Sequence, residues 1–188
     1  MNYYYLLASL PSLQPFAEPP IAVDAFLLQA GAELSAGDRK ELEALRAGGG
    51  SSAFAGRHRA FLQRLAMLVA RVRAERRGFD TSELPSDDGV PDLELQARVL
   101  DAFAGEDPMD RQRRLDRIVW RWLEAETAAD PFGSVAVFAY ALRLDRMHQW
   151  DQRSPMRGHA ALHEQREKLL AGFGGTEFTM STDTEAGA

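Results

Sequence analysis

Residues 134–150 read SVAVFAYALRLDRMHQW, and the pattern of this stretch decides the fold. Val135, Val137, Phe138, Tyr140, Leu142 and Leu144 spread around the whole circumference of a 3.6-residue helix instead of forming one stripe. A helix that is apolar nearly all round has no face to offer water, so this one is predicted to run through the centre of a bundle, with Ser134 as its cap. Its uninterrupted apolar run, Val135 to Leu142, is less than half of the ~20 residues a bilayer span requires. Arg143, Asp145 and Arg146 follow at once, and charges so near a core need partners, from their neighbours or from acids of the preceding helix.

Upstream, Asp130-Pro131-Phe132-Gly133 breaks the chain, and Asp107-Pro108 signals the start of the helix before it. Leu115, Ile118, Val119 and Trp122 form its inner face, while Arg113, Arg117 and Arg121 recur at i, i+4 and i+8 on the far side. Trp120 points about 160° away from Trp122. Trp120 therefore either packs under another helix or anchors a partner, since tryptophan and arginine are enriched at binding hot spots. Pro91 is expected to open a further helix running through Phe103, with Leu93, Ala97, Leu100 and Phe103 inward.

The longest predicted helix covers 53–77, with Phe61, Leu65, Leu68 and Val72 in one stripe and Gly78 as its stop. Arg57, Arg64 and Arg71 repeat every seven residues beside that stripe, as a solvated shoulder or as a rail for an acidic partner helix. Ser35 caps a shorter helix with Asp38 in its first turn and Leu42 and Leu45 inward. Gly48-Gly49-Gly50-Ser51-Ser52 ends it, without the Gly-Lys-Ser/Thr that would let such a loop hold phosphate. Another short helix is read over Asp24–Glu33, with Phe26, Leu27 and Ala30 on one side.

At the amino-terminal end, Met1 to Leu13, MNYYYLLASLPSL, carries three tyrosines and four leucines, a composition that is expected to be buried as strand or helix. Toward the other end, Ser154-Pro155 caps a final helix to Gly172, and the small polar residues 176–188 read as a disordered tail. The fold class that follows is all-α, a bundle of six to seven helices in a single domain over 1–175, with the acidic 79–91 segment as the junction of any two subdomains.

Charge is unevenly spread along the 188 residues, whose net value is −6. Residues 80–110 hold ten acids against Arg98, and residues 57–77 hold seven arginines against Glu75, blocks that can attract each other within the fold or leave one free for a partner. Twenty arginines stand against Lys40 and Lys168, but the acidic balance argues against nucleic acid. The chain has no cysteine, which suits a reducing cytoplasm, and nothing positive precedes Pro11 to make a secretory leader.

Few residues offer chemistry. His159, His163 and Glu167 share a helix face but lack a further convergent ligand. Asp87-Asp88 sits in a Ser-Asp-Asp-Gly loop that favours solvated acids over a catalytic pair, and no Gly-x-Ser-x-Gly elbow is present. Gly172–Gly175 follows a helix where phosphate binding needs one to begin, and His58 and His148 read as boundary residues. Neither catalysis, a metal nor a cofactor is expected.

Three stretches carry a resemblance. YYYLLASLPSL (3–13), PPIAVDAFL (19–27) and FAYALRLDRMHQW (138–150) are similar to segments of a small bacterial protein family encoded in operons for V/A-type ATPases. The last also resembles a helix of the C (or d) subunit, which seats the rotor shaft on the membrane ring, although this chain is far shorter than that subunit's three helical repeats. The resemblance implies a non-enzymatic accessory or central-stalk-associated subunit acting in assembly or mechanical coupling. It would be cytoplasmic, and peripheral to the membrane through its partner complex. Partner contact would fall to Tyr3, Tyr4, Tyr5, Arg57, Arg64, Arg71, Arg113, Arg117, Trp120 and Arg121; Tyr140, Arg143, Asp145, Arg146 and Trp150 would hold the helix in place. The alternative is a stand-alone interaction module, a homodimer built on Trp120 and the alanine face Ala66, Ala70 and Ala74.

Overall fold

The computed structural model describes residues 2–81 and 92–153, in which seven α-helices occur and no strand. They are α1 (Tyr4–Ser9), α2 (Val23–Glu33), α3 (Ala36–Arg46), α4 (Ala53–Arg76), α5 (Leu93–Ala102), α6 (Pro108–Glu126) and α7 (Ser134–Gln152). The protein is an all-α bundle, and its described residues up to Asp151 form one compact unit. The predicted final helix, the tail and the loop acids Asp87 and Asp88 lie outside the described residues.

Helix α7 is the axis of the bundle. Ala136 to Ala141 are six consecutive buried residues, which only an element covered on all sides permits, and Leu144 and Met147 continue the burial. Around it, the Tyr140 ring lies 5.3 Å from Phe26 of α2, and Phe138 lies 6.1 Å from Phe54 of α4. The Tyr140 hydroxyl donates to the Pro11 carbonyl at 3.0 Å, and His148 Nε2 pairs with the Ile21 carbonyl at 3.0 Å. Ser134 does not cap α7 from outside but is its first residue, and the Gly133 carbonyl accepts the first bonds, from Ala136 and Val137.

The amino-terminal segment is helical over Tyr4–Ser9, and the burial expected of it holds in part, since Tyr4 and Tyr5 stay exposed. Tyr3 and Leu6 are buried, and the Tyr3 N–H donates to the Phe132 carbonyl at 2.7 Å in the turn before α7. The Tyr3 hydroxyl donates to the Asp38 carboxylate and accepts the Ser35 N–H at 3.3 Å. Ser35 caps α3 as predicted, its hydroxyl accepting the Asp38 N–H at 3.1 Å and donating to the Asp38 carboxylate at 2.8 Å.

Two other predicted starts behave differently. Asp107 accepts from the N–H groups of Met109 and Asp110 with Pro108 in the first turn, as the Asp-Pro pair indicated. Helix α5 begins at Leu93 with Asp92 as its cap, and of the inward face predicted for it Phe103 is buried while Leu93, Ala97 and Leu100 are not. Leu95, Val99, Ala102 and Phe103 are buried, whereas Leu93 and Leu100 are 72% and 48% exposed and Ala97 is exposed as well. Two apolar stripes share this short helix, and its contacts with α4 and α6 select the one centred on Val99.

Candidate functional site

The charges at the end of α7 are spent on internal pairs. Arg146 Nη1 meets Asp116 of α6 at 2.8 Å, and the other oxygen of Asp116 accepts the Trp150 indole N–H at 2.8 Å. Arg143 faces Glu124 of α6 at 3.6 Å, as the demand for acids on the preceding helix required, and burial pushes its pKa down against that attraction. Asp145 instead finds Arg46 of α3, a partner 99 positions away that no local pattern announces. Tyr140, Arg143, Asp145, Arg146 and Trp150 are thus bundle fasteners.

Among the ten residues expected to meet a partner, several are already committed. Tyr3 is buried and bonded to α3, so it is scaffold; Tyr4 is half exposed with its ring edge-on to Phe132 at 4.9 Å, and Tyr5 is 82% exposed. Trp120 is buried, its indole N–H donating to Glu124 Oε1 at 2.7 Å while the Arg143 guanidinium lies 5.5 Å over its ring. Trp122, on the other side of α6, stacks on Phe61 of α4 at 4.8 Å. Helix α6 is therefore covered on two sides, by α4 and by α7, and both indoles are used inside. The homodimer reading loses its tryptophan anchor; Ala66 and Ala70 remain exposed.

The α4 arginines are not a free rail. Arg57 is bonded to Glu126 Oε2 through Nε at 2.9 Å and Nη2 at 2.6 Å, and Arg64 and Arg71 are half-buried and engaged. Further along, Arg73 and Arg76 join Arg111 around the Phe103 ring at 6.0, 5.6 and 4.9 Å. The glycine run is structural too. Glu41 accepts from the N–H groups of Ser51 and Ser52 at 3.0 and 2.8 Å, which holds its carboxyl down at about 2. Gly50 has φ +102°, and a Cβ there would stand 2.7 Å from Glu41 Oε1 and 2.8 Å from the Ala55 Cβ.

His58 is a boundary residue, half-buried as its sequence position suggested. Its ring forms a cluster with Phe54 at 6.0 Å and Trp122 at 5.5 Å, and Nε2 is buried without a hydrogen-bond partner among the described residues. Burial first, and the Arg146 charge second, lower its pKa below 6.5.

What remains open is the far face of α6. Arg113, Arg117 and Arg121 are all exposed and line a cleft of about 680 Å³ between α5 and α6, whose other walls include Phe16, Glu94, Ala97, Arg98, Asp101, Asp110 and Arg114. The acids of the cleft are occupied: Glu94 pairs with Arg98, and Arg114 holds both Asp110 at 2.8 Å and Asp101 at 3.3 Å. Arg113 lies 5.8 Å over the Trp150 ring and Arg117 5.6 Å over Phe16. Phe16 itself has φ +68°, a backbone conformation costly for a bulky residue, and its ring meets Trp150 edge-on at 5.3 Å. Of the arginine stripes expected from the sequence, this is the one the fold leaves available.

Among the described residues no three His, Asp or Glu side chains gather to hold a metal, and no helix is long and apolar enough to cross a membrane. His159, His163 and Glu167 lie outside the described residues. Compared with known proteins, the chain is matched by no family model, no curated protein and no solved structure.

Proposed function

We propose that this protein is a non-enzymatic accessory or stalk-associated subunit of a bacterial V/A-type ATPase, acting through protein contacts in assembly or mechanical coupling. The observation that carries this reading is how the three resembling stretches pack. Pro11 of the first bonds to Tyr140 of the third, Phe26 of the second packs on the same tyrosine, and Ile21 of the second pairs with His148. The resemblance therefore rests on one contiguous body and not on scattered matches. A rigid bundle with its central charges paired suits a part that transmits force or holds a neighbour in register.

The reading makes the protein cytoplasmic and attached to the membrane only through its complex. Affinity-tagged protein purified from its native host is expected to bring ATPase subunits with it. Deleting the gene is expected to impair assembly or proton-coupled ATPase activity. A deletion that leaves both intact, with a tagged protein that carries no ATPase subunit, overturns the proposal. Sedimentation as a tight homodimer that ignores those subunits would favour the stand-alone module instead.

A further inference from the structure

We infer that the cleft between α5 and α6 is a docking groove for an acidic amphipathic helix of a partner protein, with Arg113, Arg117 and Arg121 as its recognition row. The inference rests on reading the protein as a partner-binding subunit, and it specifies the surface and the chemistry of what binds there.

Charge accounting within the groove leads to this assignment. Glu94, Asp101 and Asp110 are consumed by Arg98 and Arg114, so the three arginines of the row have no carboxylate partner among the described residues. Like charges at i, i+4 on a helix repel, and α6 carries two such steps in succession, Arg113 to Arg117 and Arg117 to Arg121, while its acids Asp110, Asp116, Glu124 and Glu126 pair with other arginines among the described residues. The contrast with α7 is sharp, where Arg143, Asp145 and Arg146 all found partners inside the fold. Two of the guanidiniums are also oriented: Trp150 and Phe16 lie beneath Arg113 and Arg117, which narrows where those charges can point, and a ring face carries no formal counter-charge.

The spacing and the wall choose the occupant. Successive members of the row rise about 6 Å along α6, the same rise that separates carboxylates at i and i+4 of another helix, so one acidic stripe can meet all three. Leu93, Ala97 and Leu100 lie on one face of α5; Ala97 is in the groove wall and the two leucines are exposed beside it. That strip suits the apolar stripe of an amphipathic partner and offers nothing to a phosphate backbone. A polyanion of continuous charge would also run past Glu94, Asp101 and Asp110 on a molecule of net charge −6.

The test uses the full chain and a fluorescein-labelled designed peptide of about eighteen residues, helical, with leucines on one stripe and glutamates at i, i+4 and i+8 beside it. Fluorescence anisotropy is expected to saturate and to weaken as salt rises from about 50 to about 300 mM. The triple variant Arg113→Gln, Arg117→Gln, Arg121→Gln is expected to weaken binding by about tenfold or more, and Leu93→Gln with Leu100→Gln also to weaken it. Arg→Glu at the same three positions is expected to lose the glutamate peptide and gain its lysine counterpart. Because these side chains are exposed, an unchanged circular dichroism spectrum is expected for each variant.

The inference is overturned if the glutamate peptide shows no saturable binding up to about 1 mM, a limit near −4 kcal/mol. Equal binding to the triple variant overturns it too, as does tighter binding of a labelled single-stranded oligonucleotide that depends on the same arginines. Copurification of ATPase subunits is read separately. Peptide binding with neither copurification nor a deletion phenotype sinks the ATPase reading and keeps the groove, and copurification that survives failed peptide binding does the reverse.

Discussion

Arg46 holds Asp145 through two parallel hydrogen bonds, Nε to one carboxylate oxygen at 2.8 Å and Nη2 to the other at 2.9 Å, tying α3 to the central helix. The fork geometry makes this pair stronger than a single surface contact. Asp145→Asn is expected to cost about 1 kcal/mol, because it keeps the shape but removes the charge. A thermal melt shifted down by about 2–4 °C would register that loss. Arg46→Lys should fail to rescue the fork.

Gly50 is expected to tolerate no side chain. Its φ of +102° and the close approach of Glu41 and Ala55 add strain to overlap, so Gly50→Ala should destabilise by about 2 kcal/mol or more in chemical denaturation. Gly48→Ala meets no neighbouring atom and carries only the strain of its φ of +83°, so it should cost less.

The same linker sets an acid limit. Glu41 is held from 4.5 down to about 2 by the Ser51 and Ser52 N–H groups, so its contribution is complete above pH 4.5 and drains as pH falls toward 2. Glu41→Gln, compared with the parent by urea unfolding at several pH values, should flatten the curve in that window.

His58 acts in a higher window. With its pKa lowered by burial, the folded protein resists a proton that the unfolded chain accepts below 6.5. Stability is therefore full above pH 6.5 and falls as pH drops below it. His58→Phe removes the buried, unpaired Nε2, so it should melt at or above the parent temperature at pH 7 and lose the pH dependence that the parent shows below 6.5.

Helix α5 offers a direct comparison of two stripes. Leu95→Ala should cost about 2–5 kcal/mol, since Leu95 is buried against its neighbours. Leu93→Gln and Leu100→Gln, at 72% and 48% exposure, should change stability by no more than about 0.5 kcal/mol each.

That comparison also marks how far the sequence could be read. Long, strongly periodic elements with chemical caps were legible: α3 from Ser35, α6 from Asp107-Pro108, and α7 from its apolarity on every side. The existence of α5 was legible but its buried face was not, because ten residues supply two interleaved apolar stripes and only the packing of α4 and α6 against it decides between them. Trp120 was ambiguous for a related reason, since an angle on a helical wheel says which way an indole points but not whether a second helix waits there. The arginine row of α6 could be seen as a pattern. Its availability could not, because that depends on where the acids of α5 and the α7 side chains end up.

The docking of Tyr3 and Pro11 against residues 132 and 140 bears on how the protein is made. A nascent chain leaving the ribosome presents Tyr3 and Leu6 long before their seat exists, since Tyr140 comes 129 positions after Pro11. At ordinary elongation rates that wait lasts on the order of ten seconds, with greasy side chains uncovered throughout. Newly translated molecules thus pass through a window in which chaperone shelter or proteolysis competes with closure, and one latch of the fold joins segments made well over a hundred residues apart.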